Sequence, residues 1–180
     1  MVYEEILLKN GATVILREAN KDDAQGMIDH MHLVTGETKF LTYGPGEFVI
    51  TLEEEQEFVE KTATSVNEIF LLALVDSIIV GIGGIHSNDK ARIRHIGNLG
   101  LSLQQSYWGL GIGSHMMQVL LTWAKGTNVI RKIDLSVVVE NTTAVALYKK
   151  FGFEKEGLIR RNMYVDGSFY DSYYMGLLID

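Results

Sequence analysis

The alternation of apolar and polar residues over 98–115 predicts a strand, a tight turn and a helix in direct succession. Apolar residues first occupy every second position, as in a half-buried strand: Leu99, Leu101 and Leu103. From Ile112 onward they recur at every third or fourth position, as on one face of a helix. The turn between them contains Gly109, Gly111 and Gly113, so its backbone N–H groups carry little side-chain cover.

The same two periods continue along the chain and predict one α/β domain over residues 1–180. The predicted strands cover residues 6–8, 13–17, 69–75, 78–86, 92–103, 132–139, 153–162 and 170–178. The predicted helices begin near Asp22, Thr51, Ile112 and Asn141. Asn10-Gly11 is a hairpin turn signal, and Thr51-Leu-Glu-Glu54 has the capping-box pattern. Residues 36–50 and 163–170 are expected to be connections without regular structure.

Composition narrows the class of protein. Among 180 residues, 47% are hydrophobic, which is typical of a folded domain with a substantial core. The absence of cysteine excludes disulfides, thiol catalysis and cysteine metal sites. The net charge of −7 argues against general nucleic-acid binding. An acidic surface attracts a cationic substrate such as an amine, and the alternative is that it only keeps the protein soluble. The apolar runs are too short to span a membrane and the N-terminus lacks a signal-peptide pattern, so we expect a cytoplasmic protein.

The glycine turn before the helix is a candidate anion site. The start of a helix presents unpaired N–H donors and the positive end of the helix dipole, which favour a phosphate. A tight turn without a ligand is the alternative. The P-loop pattern fails because Gly113-Ser114-His115 lacks its lysine, and the dinucleotide pattern fails because Ser114 replaces the third glycine. A nucleotide-binding module therefore fits poorly.

A second informative stretch, residues 141–153, follows one strand later. Asn141 stands at a helix N-cap position, and four residues follow it on one helical face: Ala144, Leu147, Tyr148 and Phe151. By itself this pattern predicts a capped helix packed on a core.

Together the two stretches resemble the GNAT superfamily of N-acetyltransferases. Residues 108–113 match the family's Q/R-x-x-G-x-G/A loop, with Trp108 where relatives usually carry Gln or Arg. Residues 141–153 match the family's Asn-x-x-Ala…Leu-Tyr…Gly-Phe signature, and the order of elements agrees from about residue 12 to residue 178. The resemblance implies a mixed, mostly antiparallel central sheet flanked by helices. Two splayed parallel strands, ending at Leu103 and Val139, would form the acetyl-CoA cleft.

The resemblance also implies roles for individual residues. The backbone of Leu101, Ser102 and Leu103 would hold the pantetheine arm of acetyl-CoA and polarise the thioester carbonyl. The backbone of the glycine turn would hold the pyrophosphate, through Gly109, Leu110, Gly111, Ile112, Gly113 and Ser114. Asn141 and Ala144 are expected beside the arm, and Tyr148 would act as general acid toward the thioester sulfur. No metal is expected.

The implied reaction is direct attack of an amine on the thioester. A thiolate whose conjugate acid has a pKa of about 8.5 would take a proton from a phenol near about 10, a mismatch that burial could narrow. His95 is the best candidate for the general base and His86 a weaker one, while Glu47 and Glu140 stay open. Some relatives carry a glutamate base at the position of Ser136.

The sequence leaves the acceptor open among peptide N-termini, polyamines, aminoglycosides and free amino acids. The acceptor is expected across the splay, beside the first two helices and the connections 36–50 and 163–170. The alternative function is an acetyl-CoA sensor with little catalysis. No nucleic-acid or membrane partner is expected, and a homodimer stays open.

Overall fold

The computed structural model describes all 180 residues and contains one eight-stranded sheet with helices on both faces. The elements in chain order are β1 (Val2–Leu7), β2 (Thr13–Glu18), α1 (Ala24–Glu37), α2 (Leu52–Thr64), β3 (Ile69–Val75), β4 (Ile78–Ser87), β5 (Ile96–Leu103), α3 (Ile112–Gly126), β6 (Lys132–Val138), α4 (Thr142–Lys150), β7 (Glu154–Val165) and β8 (Ser168–Leu178). The strand order is β1-β2-β3-β4-β5-β6-β8-β7. None of the helices is long and apolar enough to cross a membrane.

Apolar side chains cover both faces of the sheet, because its central strands are apolar at consecutive positions. Alternate residues of β3 point to opposite faces. Leu71 and Ala73 join the larger core beneath α3 and α4. Leu72 and Leu74 join a smaller core with Met27 of α1 and with α2. The sheet therefore has an α3–α4 face and an α1–α2 face.

The only parallel pair in the sheet, β5 with β6, separates after three residue pairs. These pairs are Ile96 with Lys132, Gly97 with Ile133, and Asn98 with Asp134. β5 nevertheless continues to Leu103 and β6 to Val138, each still paired on its other side. A wedge-shaped space thus opens between residues 99–103 and 135–138, and we call it the gap. The predicted mixed sheet with two splayed parallel strands is confirmed.

Most predicted elements agree with the structure, and three boundaries were wrong. β1 begins at Val2 rather than at the predicted residue 6. β5 does not begin at residue 92, because residues 90–95 form a turn in which Ile93 and Arg94 donate backbone hydrogen bonds of 2.9 Å to the Lys90 carbonyl. The connection expected at 163–170 is much shorter. Asp166 and Gly167 have φ of 50° and 79° and join β7 to β8 as a two-residue hairpin turn. This Asp-Gly signal was visible in the sequence.

A β-carbon added to Gly97 of β5 would lie 2.5 Å from Cγ2 of the fully buried Ile85, whereas one added to Gly100 would meet no atom within 4 Å. We therefore expect Gly97→Ala to lower the free energy of unfolding by about 1–3 kcal/mol through overpacking. Gly100→Ala, the matched control on the same strand, should change it by less than about 0.5 kcal/mol. Urea unfolding followed by circular dichroism measures both, and equal midpoints for the two variants would contradict this packing.

Candidate active site

The half of β5 that borders the gap presents main-chain groups that no strand pairs. Gln104 donates its N–H to the Val80 carbonyl of β4 at 2.9 Å, so the even-numbered residues before it also pair with β4 and the odd-numbered ones face the gap. Trp108 occupies one of these gap-facing groups, since its indole N–H donates to the Leu103 carbonyl at 2.8 Å. Both main-chain groups of Leu101 and the N–H of Leu103 are left. The main chain of Ser102 pairs with β4, so it is not available to a ligand in the gap.

The opposite edge of the gap, on β6, is similar. Val139 donates its N–H to the Asp171 carbonyl at 3.0 Å, which turns the odd-numbered residues of β6 toward β8. Ser136 and Val138 therefore face the gap. The Val138 carbonyl accepts the Asn141 N–H at 3.0 Å, in the turn that leads into α4.

At the open end of the gap, the glycine turn presents five main-chain amides. The N–H groups of residues 109–113, which we call the cradle, donate to no protein oxygen, and the first N–H bonded into α3 is that of Ser114, to Gly111 at 3.0 Å. Gly109 and Gly111 have φ of 74° and 88°, a region that other residues rarely adopt, and open space surrounds both. No side chain caps α3. These amides and the helix dipole together provide an anion site.

The structure adds a positive charge that the sequence did not reveal. The Lys150 ammonium of α4 donates to Ser114 Oγ at 3.2 Å, at the first turn of α3. No short spacing in the sequence connects these residues, because α3 and α4 meet only in the folded chain. Trp108, at the start of the turn, carries no charge. Lys150 thus provides positive charge close to the cradle by another route.

Helix α4 brings the second motif to the same place. Asn141 caps the helix by accepting the Ala144 N–H on Oδ1 at 3.2 Å, as its position in the sequence predicted. Leu101, Leu103, Ala144 and Tyr148 all belong to one apolar cluster. Gly113 also lies here, where an added β-carbon would stand 3.4 Å from Leu147 Cδ2 and 3.9 Å from Leu101 Cδ2. The ends of β5, α3 and α4 therefore converge.

Tyr148 is 7% exposed, and its ring centroid lies 5.8 Å from that of Phe153. Burial raises the pKa of Tyr148 to about 12, so the phenol is protonated at neutral pH. We expected burial to reduce the difference between the pKa of the phenol and the pKa of a thiol. For the phenol alone this was wrong, because burial disfavours the phenolate and so raises the pKa of the phenol. The same loss of solvent would raise the pKa of a thiol placed beside it.

The structure does not bring His95 to this place. His95 precedes β5 and is exposed at the closed end of the strand pair, where its carbonyl accepts the Arg131 N–H at 2.8 Å. Leu101 is six residues further along, which corresponds to about 20 Å of extended strand. His95 is therefore too distant to act beside Tyr148. Its expected role was wrong because β5 and β6 separate only after Asn98, so His95 lies at the closed end of the strand pair.

A different histidine, missed in the sequence, contacts β5 from the α1–α2 face. His30 of α1 is 2% exposed, and its Nε2 lies 2.9 Å from Ser102 Oγ. Burial lowers the pKa of His30 to about 4, so the ring is neutral. About two turns further along the same helix, Glu37 Oε2 accepts the Gln105 N–H at 2.8 Å. The helical spacing of His30 from Met27 and Val34, both buried, was a signal that could have located it.

On this face the middle of the sheet is open. Asn98 and Gly100 of β5 are exposed although β5 is a central strand, with four strands on one side of it and three on the other. Across the gap, Asn162 Nδ2 donates to Oγ of the exposed Ser136 at 3.4 Å and to Oγ of Ser172 at 3.0 Å. A polar groove thus runs over Gly100, opposite the side on which the cradle and α4 lie.

Proteins similar to this chain are N-acetyltransferases. The model of the acetyltransferase (GNAT) family matches residues 37–153. An L-amino acid N-acetyltransferase, AaaT of Escherichia coli K12, is 30% identical over 105 residues, 58% of this chain and 65% of that protein. The N-alpha-acetyltransferase RimI of Mycobacterium tuberculosis is 37% identical over 75 residues, 42% of this chain and 44% of that protein. The chain thus spans less than two thirds of the length of these curated relatives.

Solved structures match over more of the chain. An acetyltransferase of the GNAT family from Streptococcus pneumoniae is 36% identical, with a TM-score of 0.91 over 93% of this chain and 99% of that one. YncA of Salmonella typhimurium, solved with its cofactor acetyl-CoA, is 14% identical, with a TM-score of 0.81 over 93% of this chain and 94% of that one. The second likeness concerns the fold alone.

The buried His30 predicts a pH-dependent stability. An unfolded histidine binds a proton near pH 6.5, whereas folded His30, with a pKa of about 4, stays neutral, so the free energy of unfolding falls as the pH falls between these values. The stability advantage of the wild type over His30→Gln should shrink by about 3 kcal/mol between pH 7 and pH 4. Urea unfolding at several pH values measures this. The control is His32→Gln, an exposed position on the same helix, and an equal pH effect in both variants would contradict the assignment.

Proposed function

Because the chain belongs to the acetyltransferase (GNAT) family, we propose that it transfers the acetyl group of acetyl-CoA to a primary amine by direct attack in a ternary complex. The observation that carries this proposal is the meeting of two unpaired main-chain surfaces: the cradle and the gap-facing edge of β5. In an ordinary sheet the edge of β5 would be paired with its neighbour. Acetyl-CoA supplies an activated acyl group on a thiolate leaving group.

On the donor side, the chain contributes main-chain donors and acceptors. The amides of residues 109–113 bind the diphosphate, with Lys150 adding positive charge at Ser114. Leu101 and Ser136 offer both an N–H and a carbonyl on opposite edges of the gap, so an extended arm with amide groups can pair between them as a strand would. The N–H of Leu101 or Leu103 stabilises negative charge on the thioester oxygen during attack. Asn141 and Ala144 border the arm at the start of α4.

Tyr148 holds a proton close to the gap-facing edge of β5. Its phenol is un-ionised at neutral pH because burial keeps its pKa high. It donates this proton to the departing sulfur, whose own basicity rises in the same dry surroundings. A phenol that forms no hydrogen bond to protein is free to make this contact.

For the acceptor, we infer an α-amine. Removing the proton of a lysine-like amine, with a pKa of about 10.4, costs about 4–5 kcal/mol at pH 7, whereas an α-amine near about 7.7–8 costs about 1 kcal/mol. The names of the relatives AaaT and RimI, an L-amino acid and an N-alpha-acetyltransferase, support the same class. The polar groove over Gly100, beside Asn98 and Ser136, provides hydrogen-bonding groups for such an acceptor.

An acceptor panel with acetyl-CoA tests the proposal. It contains free amino acids, amino-acid amides, short peptides, spermidine and an aminoglycoside, and CoA thiol release is recorded together with the acetylated product by mass spectrometry. We expect transfer to at least one α-amine and slower transfer to the polyamine. Tight acetyl-CoA binding in calorimetry without transfer to any amine would instead favour the sensor function. The cytoplasmic location and a homodimer stay predictions from the sequence.

Replacing Tyr148 with Phe tests the proton donor. The ring still fills its site in the core, so the dissociation constant for acetyl-CoA should change less than about twofold, while turnover falls by about 100-fold through loss of the acid. The control is Tyr164→Phe, since Tyr164 is 65% exposed in β7. Steady-state kinetics and calorimetry give the two quantities, and unchanged turnover would remove Tyr148 from the reaction.

A further inference from the structure

Strand β4 brings a second imidazole to the groove on the α1–α2 face. His86 pairs in register with Asn98, and Gly84 pairs with Gly100. The Nε2 of His86 lies over Gly84, since a β-carbon built on Gly84 would stand only 2.8 Å from it. Gly100, one strand away, has open space above it. Because neither glycine carries a side chain, the path from Nε2 to the floor of the groove is short and unobstructed by these two residues.

Aromatic side chains fix the orientation of this ring. Phe58 of α2 stacks on His86 with 5.5 Å between centroids, and Phe70 of β3 meets it edge-on at 4.6 Å. The Nδ1 atom is buried without a partner, and Nε2 makes no hydrogen bond to protein. Burial lowers the pKa of His86, so the ring is neutral and able to accept a proton at neutral pH.

One charged group near the ring favours its protonation. Glu68, just before β3, accepts the Ser87 N–H at 3.2 Å, and its negative charge favours the imidazolium. The neighbours of His86 on β5 and β3, Asn98 and Phe70, are uncharged. His30 differs because it is enclosed and its Nε2 already contacts Ser102.

We propose that His86 accepts, through water over Gly84 and Gly100, the proton that an ammonium acceptor loses before it attacks the thioester. This proposal rests on the proposed acetyl transfer. The ammonium passes one proton to His86 Nε2, and the imidazolium releases it to solvent. The neutral amine then attacks: the C–N bond forms as the C–S bond breaks, the remaining excess N–H proton passes to water, and the thiolate takes a proton from Tyr148. The phenolate regains a proton from solvent, so one turnover releases one proton. The acceptor side thus has a base on β4, and the donor side an acid on α4.

Two variants of His86 test the proposal. His86→Gln keeps a polar side chain of similar reach, and His86→Phe keeps the ring stacking but has no nitrogen. The probes are glycinamide, which is mostly protonated at neutral pH, and hydroxylamine, which is mostly neutral. We expect both variants to lower the enzyme-dependent acetylation of glycinamide at least 30-fold and that of hydroxylamine less than fivefold, with an unchanged dissociation constant for acetyl-CoA.

The control is His32→Gln, at an exposed position on α1, which should match the wild type with both probes. An equal loss with the two probes would indicate a packing role for His86 and overturn the proposal, as would wild-type rates in either variant. These outcomes differ from failure of the proposed function, which is the absence of transfer by the wild type to every amine of the panel. Thermal midpoints show whether each variant is folded.

Discussion

Loss of hydrogen bonding between β5 and β6 beyond Asn98 and Asp134 is the constraint on which the site depends. Two strands that separate inside a sheet leave main-chain donors and acceptors unpaired, and an unpaired polar group is costly unless it meets water or a ligand. The chain accepts this cost over residues 99–103 and 135–138, where the gap forms. Two of these groups find a partner nearby. The Leu103 carbonyl accepts the Trp108 indole N–H, and the Val138 carbonyl accepts the Asn141 N–H. The remaining groups define where an extended ligand can pair.

The free half of β5 is held in place from outside the sheet. Ser102 contacts His30, and Gln105 donates to Glu37, so α1 touches the strand and its continuation at two points. Trp108 closes the turn back onto Leu103. These three side-chain contacts add to the ladder with β4, which continues to Leu103. They also keep the cradle at a fixed distance from the gap-facing edge, which a ligand spanning both requires.

The two sides of the gap differ in polarity. On the α3–α4 side, Tyr148 lies in the large apolar core, where burial favours its neutral form. On the α1–α2 side, the groove over Gly100 is lined by Asn98, Ser136 and Asn162, with His86 over the adjacent Gly84. A phenol that keeps its proton and an imidazole that stays unprotonated therefore lie on opposite faces of the sheet. This separation follows from burial and from the two-residue period of the strands.

The sequence by itself determined the elements, the cradle and the cap of α4, because these depend on residues that are neighbours in the chain. Glycine spacing, the period of Leu99, Leu101 and Leu103, and Asn141 before Ala144 are all local signals. It placed His95 wrongly because the point where β5 leaves β6, after Asn98, is not visible in the sequence, and it missed Lys150 beside Ser114. Tertiary structure alone decided where β5 leaves β6, which imidazoles lie beside the gap, and how far burial shifts the pKa of Tyr148. Those properties arise from contacts between segments that are distant in the sequence, and no local period or motif in the sequence signals such contacts.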